Sequence, residues 1–192
     1  MIRVLGLSLY GPQAASHRVR LSQFQPGLAG QGIELQIQSL LDDAYLQRCF
    51  AGGRPSLRGL ISAYGQRVRA LLQADRFDLA IVYAELLPLL PAWLEQGRLH
   101  RPYILDFDDA FFLKYRSGRL RWLRPLLGRK LDQLLSGAAA VTAGNAHLAA
   151  YARRFSPNVT LLPSVVDTDH YLPADPVPVS YTHLRAHETG RN

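Results

Sequence analysis

One repeated alternation constrains this chain more than any other feature: short apolar runs rich in β-formers are separated by amphipathic stretches of helical length. The runs are Ile2 to Ser8, Ile33 to Ser39, Leu79 to Tyr83, Tyr103 to Phe107, Ala139 to Thr142 and Val159 to Pro163. Between them Arg18 to Ala29, Leu57 to Gln73, Leu86 to Gln96, Leu120 to Leu135 and Ala146 to Phe155 read as helices. Parallel strands need a crossover, and a helical crossover covers a sheet face, so the pattern predicts an α/β fold with a mostly parallel sheet flanked by helices. Gly30 and Gly32, Gly97 and Gly137 are expected to close helices in the left-handed conformation, and Asn145 to cap one.

A chain of 192 residues, 48% of them hydrophobic, can bury a substantial core. Lys and Arg exceed Asp and Glu by 7, which calls for a polyanionic partner: nucleic acid, phosphate or an anionic membrane surface. The single Cys49 excludes a disulfide framework and a CxxC site and makes the cytoplasm the default compartment. The opening apolar segment has no charged leader and cleavage site in order, and reads as a strand. Leu79 to Leu94 is broken by Glu85, Pro88 and Pro91 and falls short of the roughly 20 apolar residues that a membrane span needs.

The end of the chain departs from this pattern. The run Val179 to Thr189, VSYTHLRAHET, corresponds to one reading frame of the adapter used in transposase-based sequencing libraries, so residues 179–192 are expected to be an artefactual or disordered tail. The expected organisation is a domain over residues 1–171, the start of a proline-rich linker over 172–178, and that tail. His183 and His187 in the tail are therefore not read as metal ligands. Without it the net charge is +6.

Ligands of parallel α/β sheets bind at the carboxyl ends of the strands. No GxGxxG follows the first strand, and GxxxxGK[ST], GxSxG and HExxH are absent, which removes dehydrogenase, P-loop, α/β-hydrolase and zinc-protease readings. After the first strand, Ser16, His17 and Arg18 stand at the expected start of a helix, where free N–H groups and a guanidinium suit an anionic oxygen; simple capping by Ser16 is the alternative. Asp106-Phe-Asp-Asp109 is the densest carboxylate cluster, with Asp106 and Asp108 expected on one face of the strand and Asp109 on the other. Metal binding, general-base work, hydrogen bonding of sugar-like hydroxyls and capping of a turn all remain open for it. A haloacid-dehalogenase reading fails, because the pair comes late and Ala110 follows. Glu85 either faces the cleft or is an exposed residue at a helix start.

Lys114 to Lys130 carries seven basic residues and no acidic one, interleaved with Trp122 and leucines. Such a segment lies on anionic lipid, here through Arg119, Arg121, Trp122 and Arg124, or is a solvated helix face. No nucleic-acid-binding motif is present, so no nucleic-acid partner is expected.

Taken in order, Ser16-His-Arg-Val-Arg20, Tyr103-Ile-Leu-Asp-Phe-Asp-Asp-Ala110, Val141-Thr-Ala-Gly-Asn145 and Leu162-Pro-Ser-Val-Val-Asp-Thr-Asp-His-Tyr171 resemble the N-terminal half of retaining GT-B glycosyltransferases of the family-four type. Ser164-Val-Val166 stands where most members have Asn-Gly-Val. The resemblance implies a Rossmann-like domain that is half of a two-domain enzyme, shaping the acceptor site while the other half grips a nucleotide-sugar donor. It implies transfer to a glycan or lipid-linked acceptor in polysaccharide or glycolipid synthesis, with no cofactor and no metal. Arg18 and His17 would be catalytic; Ser16, Glu85, Asp108, Asp109 and Asn145 would bind substrate. The enzyme would be cytoplasmic and peripheral on the inner membrane face, and the chain alone would be inactive and weakly stable, with an uncovered face. The rival expectation is a stand-alone α/β module that binds phosphate or nucleotide without catalysis.

Overall fold

A computed structural model describes residues 1–99 and 102–168. The expected linker and tail lie outside the described residues. Within them, six strands, β1 (Ile2–Tyr10), β2 (Ile33–Leu41), β3 (Leu79–Tyr83), β4 (Tyr103–Phe107), β5 (Ala140–Ala143) and β6 (Val159–Leu161), form one sheet in the order β2-β1-β3-β4-β5-β6. Every pairing is parallel, with Val4 opposite Leu79 and Leu105 opposite Val141. The Rossmann-like α/β architecture is therefore as expected.

Nine α-helices complete the described chain: α1 (Ala15–Arg20), α2 (Gln25–Gly30), α3 (Asp43–Phe50), α4 (Leu57–Leu72), α5 (Ala92–Gln96), α6 (Leu113–Arg116), α7 (Arg124–Leu127), α8 (Lys130–Gly137) and α9 (Ala146–Ala152). Period-two alternation gives the sheet two faces. Leu5, Leu7, Val82, Leu105, Phe107 and Val141 point to one, where Leu71 of α4, Leu131, Leu134 and Leu135 of α8 and Leu148 of α9 close the main core. The other face carries α1 and α2 over one half. Beside them an apolar groove, about 520 Å³ in volume, is floored by Ile81, Ile104 and Thr142, so this face is incompletely covered among the described residues.

Three expected helices break, each for a local reason. Pro26 cannot donate to the carbonyl one turn back, and the expected helix 18–29 becomes α1, a 3-10 turn over Ser22–Phe24, and α2. Pro125 and Gly128 likewise divide 120–135 into a 3-10 turn over Arg121–Leu123, α7 and α8. Pro88 and Pro91 leave only α5 of the expected 86–96. Two helices were not expected, α3 and α6; the first is capped by Asp42, whose carboxylate accepts from Tyr45 N–H at 2.8 Å. Gly32 adopts the left-handed conformation at φ 75°, whereas Gly97 and Gly137 do not: Gly97 stays right-handed at φ −64°, and Gly137 is the last residue of α8.

Candidate active site

β1 is the second strand of the sheet, with the edge strand β2 on one side and β3 on the other, so the chain changes direction across the sheet between β1 and β3. The connections leaving these two strands diverge to opposite faces and open a crevice at the carboxyl edge. On the α1 face of that edge, Asp106 at the end of β4 is buried and meets the buried Arg20 of α1 in a two-pronged ion pair: Arg20 Nε donates to Oδ2 at 2.9 Å and Nη2 to Oδ1. Thr142 of β5 donates to the same Oδ1 at 2.6 Å, and Arg20 Nη1 reaches the Leu162 carbonyl at 2.8 Å. One carboxylate and one guanidinium thus tie together α1, β4, β5 and the chain leaving β6. Burial disfavours the Arg20 charge, but the hydrogen bonds and charge of Asp106 outweigh it, and the guanidinium pKa moves up.

Asp108 lies on the same face, as the alternation requires, but nearer solvent. Its Oδ1 accepts from the buried Tyr83 phenol at 2.7 Å and its Oδ2 from the exposed Ser164 hydroxyl at 3.1 Å. Ser16 lies close to the same phenol and acts to lower its pKa, but burial and the Asp108 contact outweigh it and push the Tyr83 pKa well up, so the phenol holds its proton. The close passage of the β4 and β5 loops depends on Gly144: a Cβ there would lie 2.5 Å from the Asp108 Cβ and 2.7 Å from its Cα. Asp109 points elsewhere, accepting from the Ala110 N–H at 2.7 Å. The three carboxylates diverge onto separate partners, and among the described residues no group of three or more His, Cys, Asp or Glu side chains converges as a metal site requires.

The loop after β1 is clamped from both sides. Exposed Arg18 donates from Nη1 to the carbonyls of Pro12 at 3.0 Å and Gln13 at 2.8 Å, while Asp43 accepts from Gln13 N–H at 3.0 Å. His17 is buried, desolvation holds its pKa below the usual value, and its Nδ1 has no hydrogen-bond partner among the described residues. Ser16 caps nothing, since no side chain caps α1. Asn145 does cap, accepting from Leu148 N–H at 2.9 Å on α9.

Glu85 is not the exposed helix-start residue that was one reading of it. It is buried on the other face of the edge, where Lys114 and Lys130 pair with it and Tyr115 donates to it at 2.9 Å. Lys130 also meets Glu95 at 2.7 Å and donates to the Leu87 carbonyl at 2.8 Å, while buried Arg67 donates to the carbonyls of Ser8, Leu86 and Gln38. These charges suture a loop in which Ala84 and Leu89 hold positive φ, a conformation costly for residues with a Cβ. Arg119, Arg121, Trp122 and Arg124 stand apart on the exposed lobe between α6 and α8.

The structure therefore gathers Ser16 and Asp108 around Tyr83, sets Asp106 of the same carboxylate cluster in a buried pair behind them, and adds Tyr83, Ser164 and Arg20, to which the sequence assigned no site role. Arg20 and Ser164 stand in the motifs that carry the family resemblance, and alternation places Tyr83 on the same face as Asp106 across paired strands. Asp108 accepts two hydrogen bonds and as a carboxylate has capacity for further donors at a half-exposed rim, an arrangement suited to a polyhydroxylated ligand. No curated protein sequence matches the chain. The Glycosyl transferase 4-like domain matches residues 8–163, a span from near the end of β1 to the residue before Ser164 that takes in nearly all of this constellation; the chain belongs to that glycosyltransferase family.

Proposed function

We propose that the protein transfers a sugar from a nucleotide-sugar donor to a glycan or lipid-linked acceptor, with this chain forming the acceptor side of the cleft. The observation that carries the reading is the hydroxyl-rich cluster of Tyr83, Asp108, Ser164 and Ser16 at the switch-point edge of a glycosyltransferase-family fold. Asp108 would accept from an acceptor hydroxyl; Asp109, on the other side of the β4 loop, and Asn145, at the cap of α9, would supply further substrate contacts from the neighbouring loops. Arg18 keeps further N–H groups at the mouth of the β1 loop and would stabilise the departing diphosphate. His17, neutral because it is buried, would hold a sugar hydroxyl or orient the acceptor. The reading needs no cofactor or metal, and puts the donor on a second domain, so that the 192 residues alone turn over no donor. It places the enzyme in the cytoplasm, with the lobe around Arg119, Arg121, Trp122 and Arg124 against the inner leaflet. Glu85, sealed under its lysines, serves to position the loop after β3.

The test is transfer by the enzyme extended through the second domain. Arg18→Ala should lower turnover by about 10²-fold or more, the size seen when one donor to a developing anion is removed, while the thermal midpoint stays near that of the parent. Unimpaired turnover would remove Arg18 from the mechanism. Asp108→Asn with turnover unchanged would remove the acceptor assignment.

A further inference from the structure

The lobe around Trp122 is not the only basic and apolar surface at the carboxyl edge. No acidic residue occurs between Asp43 and Asp75, and within that stretch Arg48, Arg54 and Arg58 are exposed together with Phe50 (82%), Leu57 and Ile61. Their height in the fold follows from α4. Arg67 of that helix is pinned to carbonyls of Ser8, Gln38 and Leu86, which lie at the carboxyl ends of β1 and β2 and just beyond β3. At 1.5 Å per residue, Leu57 stands about 15 Å further along the helix axis, so the first turns of α4 overhang the edge.

The Trp122 lobe occupies the same height. Lys114 and Tyr115 at its start touch Glu85, and Lys130 at its end touches the Leu87 carbonyl and Glu95, so the chain between them loops out at the edge. It exposes Trp122 (71%), Leu126, Arg119, Arg121, Arg124 and Arg129. Both segments lie on the main-core face of the sheet, after β2 and after β4, three strand spacings or roughly 14 Å apart, with exposed Leu89 of the β3 loop between them. The carboxylates of Glu85 and Glu95 at this edge are turned inward onto cations, while Asp42 after β2 and Asp109 after β4 are exposed beside the two segments.

We infer that the residue 48–61 segment and the residue 113–129 lobe together form a two-footed surface that docks on an anionic phospholipid bilayer. The proposal extends the membrane contact suggested above from one foot to two. Arginines flanking exposed aromatic and aliphatic side chains suit a headgroup layer with an apolar phase beneath it; a nucleic-acid backbone offers Leu57, Ile61 and Leu126 nothing to enter. Docked in this way, the Asp108 rim sits on the far side of the same edge, beside the bilayer, which favours an acceptor carried on a lipid.

The test is sedimentation of the chain with vesicles of phosphatidylglycerol and phosphatidylcholine, against phosphatidylcholine alone, in a Trp93→Phe background so that Trp122 fluorescence reports the lobe. Binding to the anionic vesicles with a blue shift is expected. Arg54→Gln with Arg58→Gln, and separately Arg121→Gln with Arg124→Gln, should each weaken partitioning, by roughly fivefold per arginine, and the four changes together should abolish it. Unchanged partitioning of the first pair overturns the second foot. Equal binding to neutral vesicles, no binding at all, or preferential capture by duplex DNA that vesicles do not reverse, overturns the docking surface as a whole. No sugar donor is present in this assay, so failure to bind leaves the transferase reading intact, and failure of transfer leaves the docking result intact.

Discussion

Two charge clusters sit back to back on the same edge of the sheet, and they differ in what they leave accessible. On the core face, Glu85, Glu95, Lys130 and Arg67 are all buried and bonded to one another or to loop carbonyls, so their charges hold a strained loop in place. On the α1 face, Asp106 is equally consumed by Arg20 and Thr142, but Asp108, two residues further on, stops at a half-exposed rim with Tyr83 beneath it and Ser164 above. Carboxylates of one type thus divide between pairs sealed within the fold and a rim position that keeps room for a new partner. Distance from the sheet interior decides which, because a buried charge must be paired while a rim charge can accept a new partner.

The sharpest way to break this comparison is Arg20→Ala. It would strand the buried Asp106 carboxylate and release the chain leaving β6, and should cost about 3–5 kcal/mol in urea unfolding. A loss below about 1 kcal/mol would mean that the pair is not structural. Next in size is the core-face cluster seen through pH. Burial pushes the Glu95 carboxyl from 4.5 up to about 7 despite Lys130, so the native state holds a proton that the unfolded chain releases between those values. Stability from this group is therefore present below about pH 4.5 and is lost as pH rises toward 7, a change on the order of 3 kcal/mol. Glu95→Gln should flatten that slope; parallel pH profiles for parent and variant would contradict it.

Smaller again is Gly144→Ala. Its methyl would press on the Asp108 backbone and should cost about 1–3 kcal/mol while lowering transfer by the extended enzyme. Retained stability and turnover would show that the β4 and β5 loops yield freely. The least effect on stability belongs to Asp108→Asn, about 1 kcal/mol or less for one altered hydrogen-bonded pair, with transfer falling far more than the melting point. If stability and turnover fall together, Asp108 belongs with Asp106 and not with the ligand.

Much of the framework was legible before any coordinates. Two strands were bounded as they occur, Leu79–Tyr83 and Tyr103–Phe107, because completely flanked apolar runs have few alternatives. Asn145 was legible as a cap because capping is decided within four residues. Where the helices stop at Pro26, Pro125 and the Pro88–Pro91 loop is not legible in the pattern, since leucine periodicity persists through short helical pieces even where a proline interrupts the hydrogen bonding. The buried state of Glu85 was not legible at all, because Lys114, Tyr115 and Lys130, which bury it, come from beyond the next strand.

By itself the sequence determined the alternation of strands and helices, the face on which each strand residue lies, and the family resemblance carried by its motifs in order. Those properties are written in periodicities and in contacts a few residues long. Only the tertiary structure decided that Arg20, not Arg18, enters the sheet edge, that its partner lies 86 residues away, and that Tyr83, Asp108 and Ser164 meet. Such pairings join side chains from strands and loops that come together only when the sheet assembles, and a buried charge selects its partner by the geometry of that assembly.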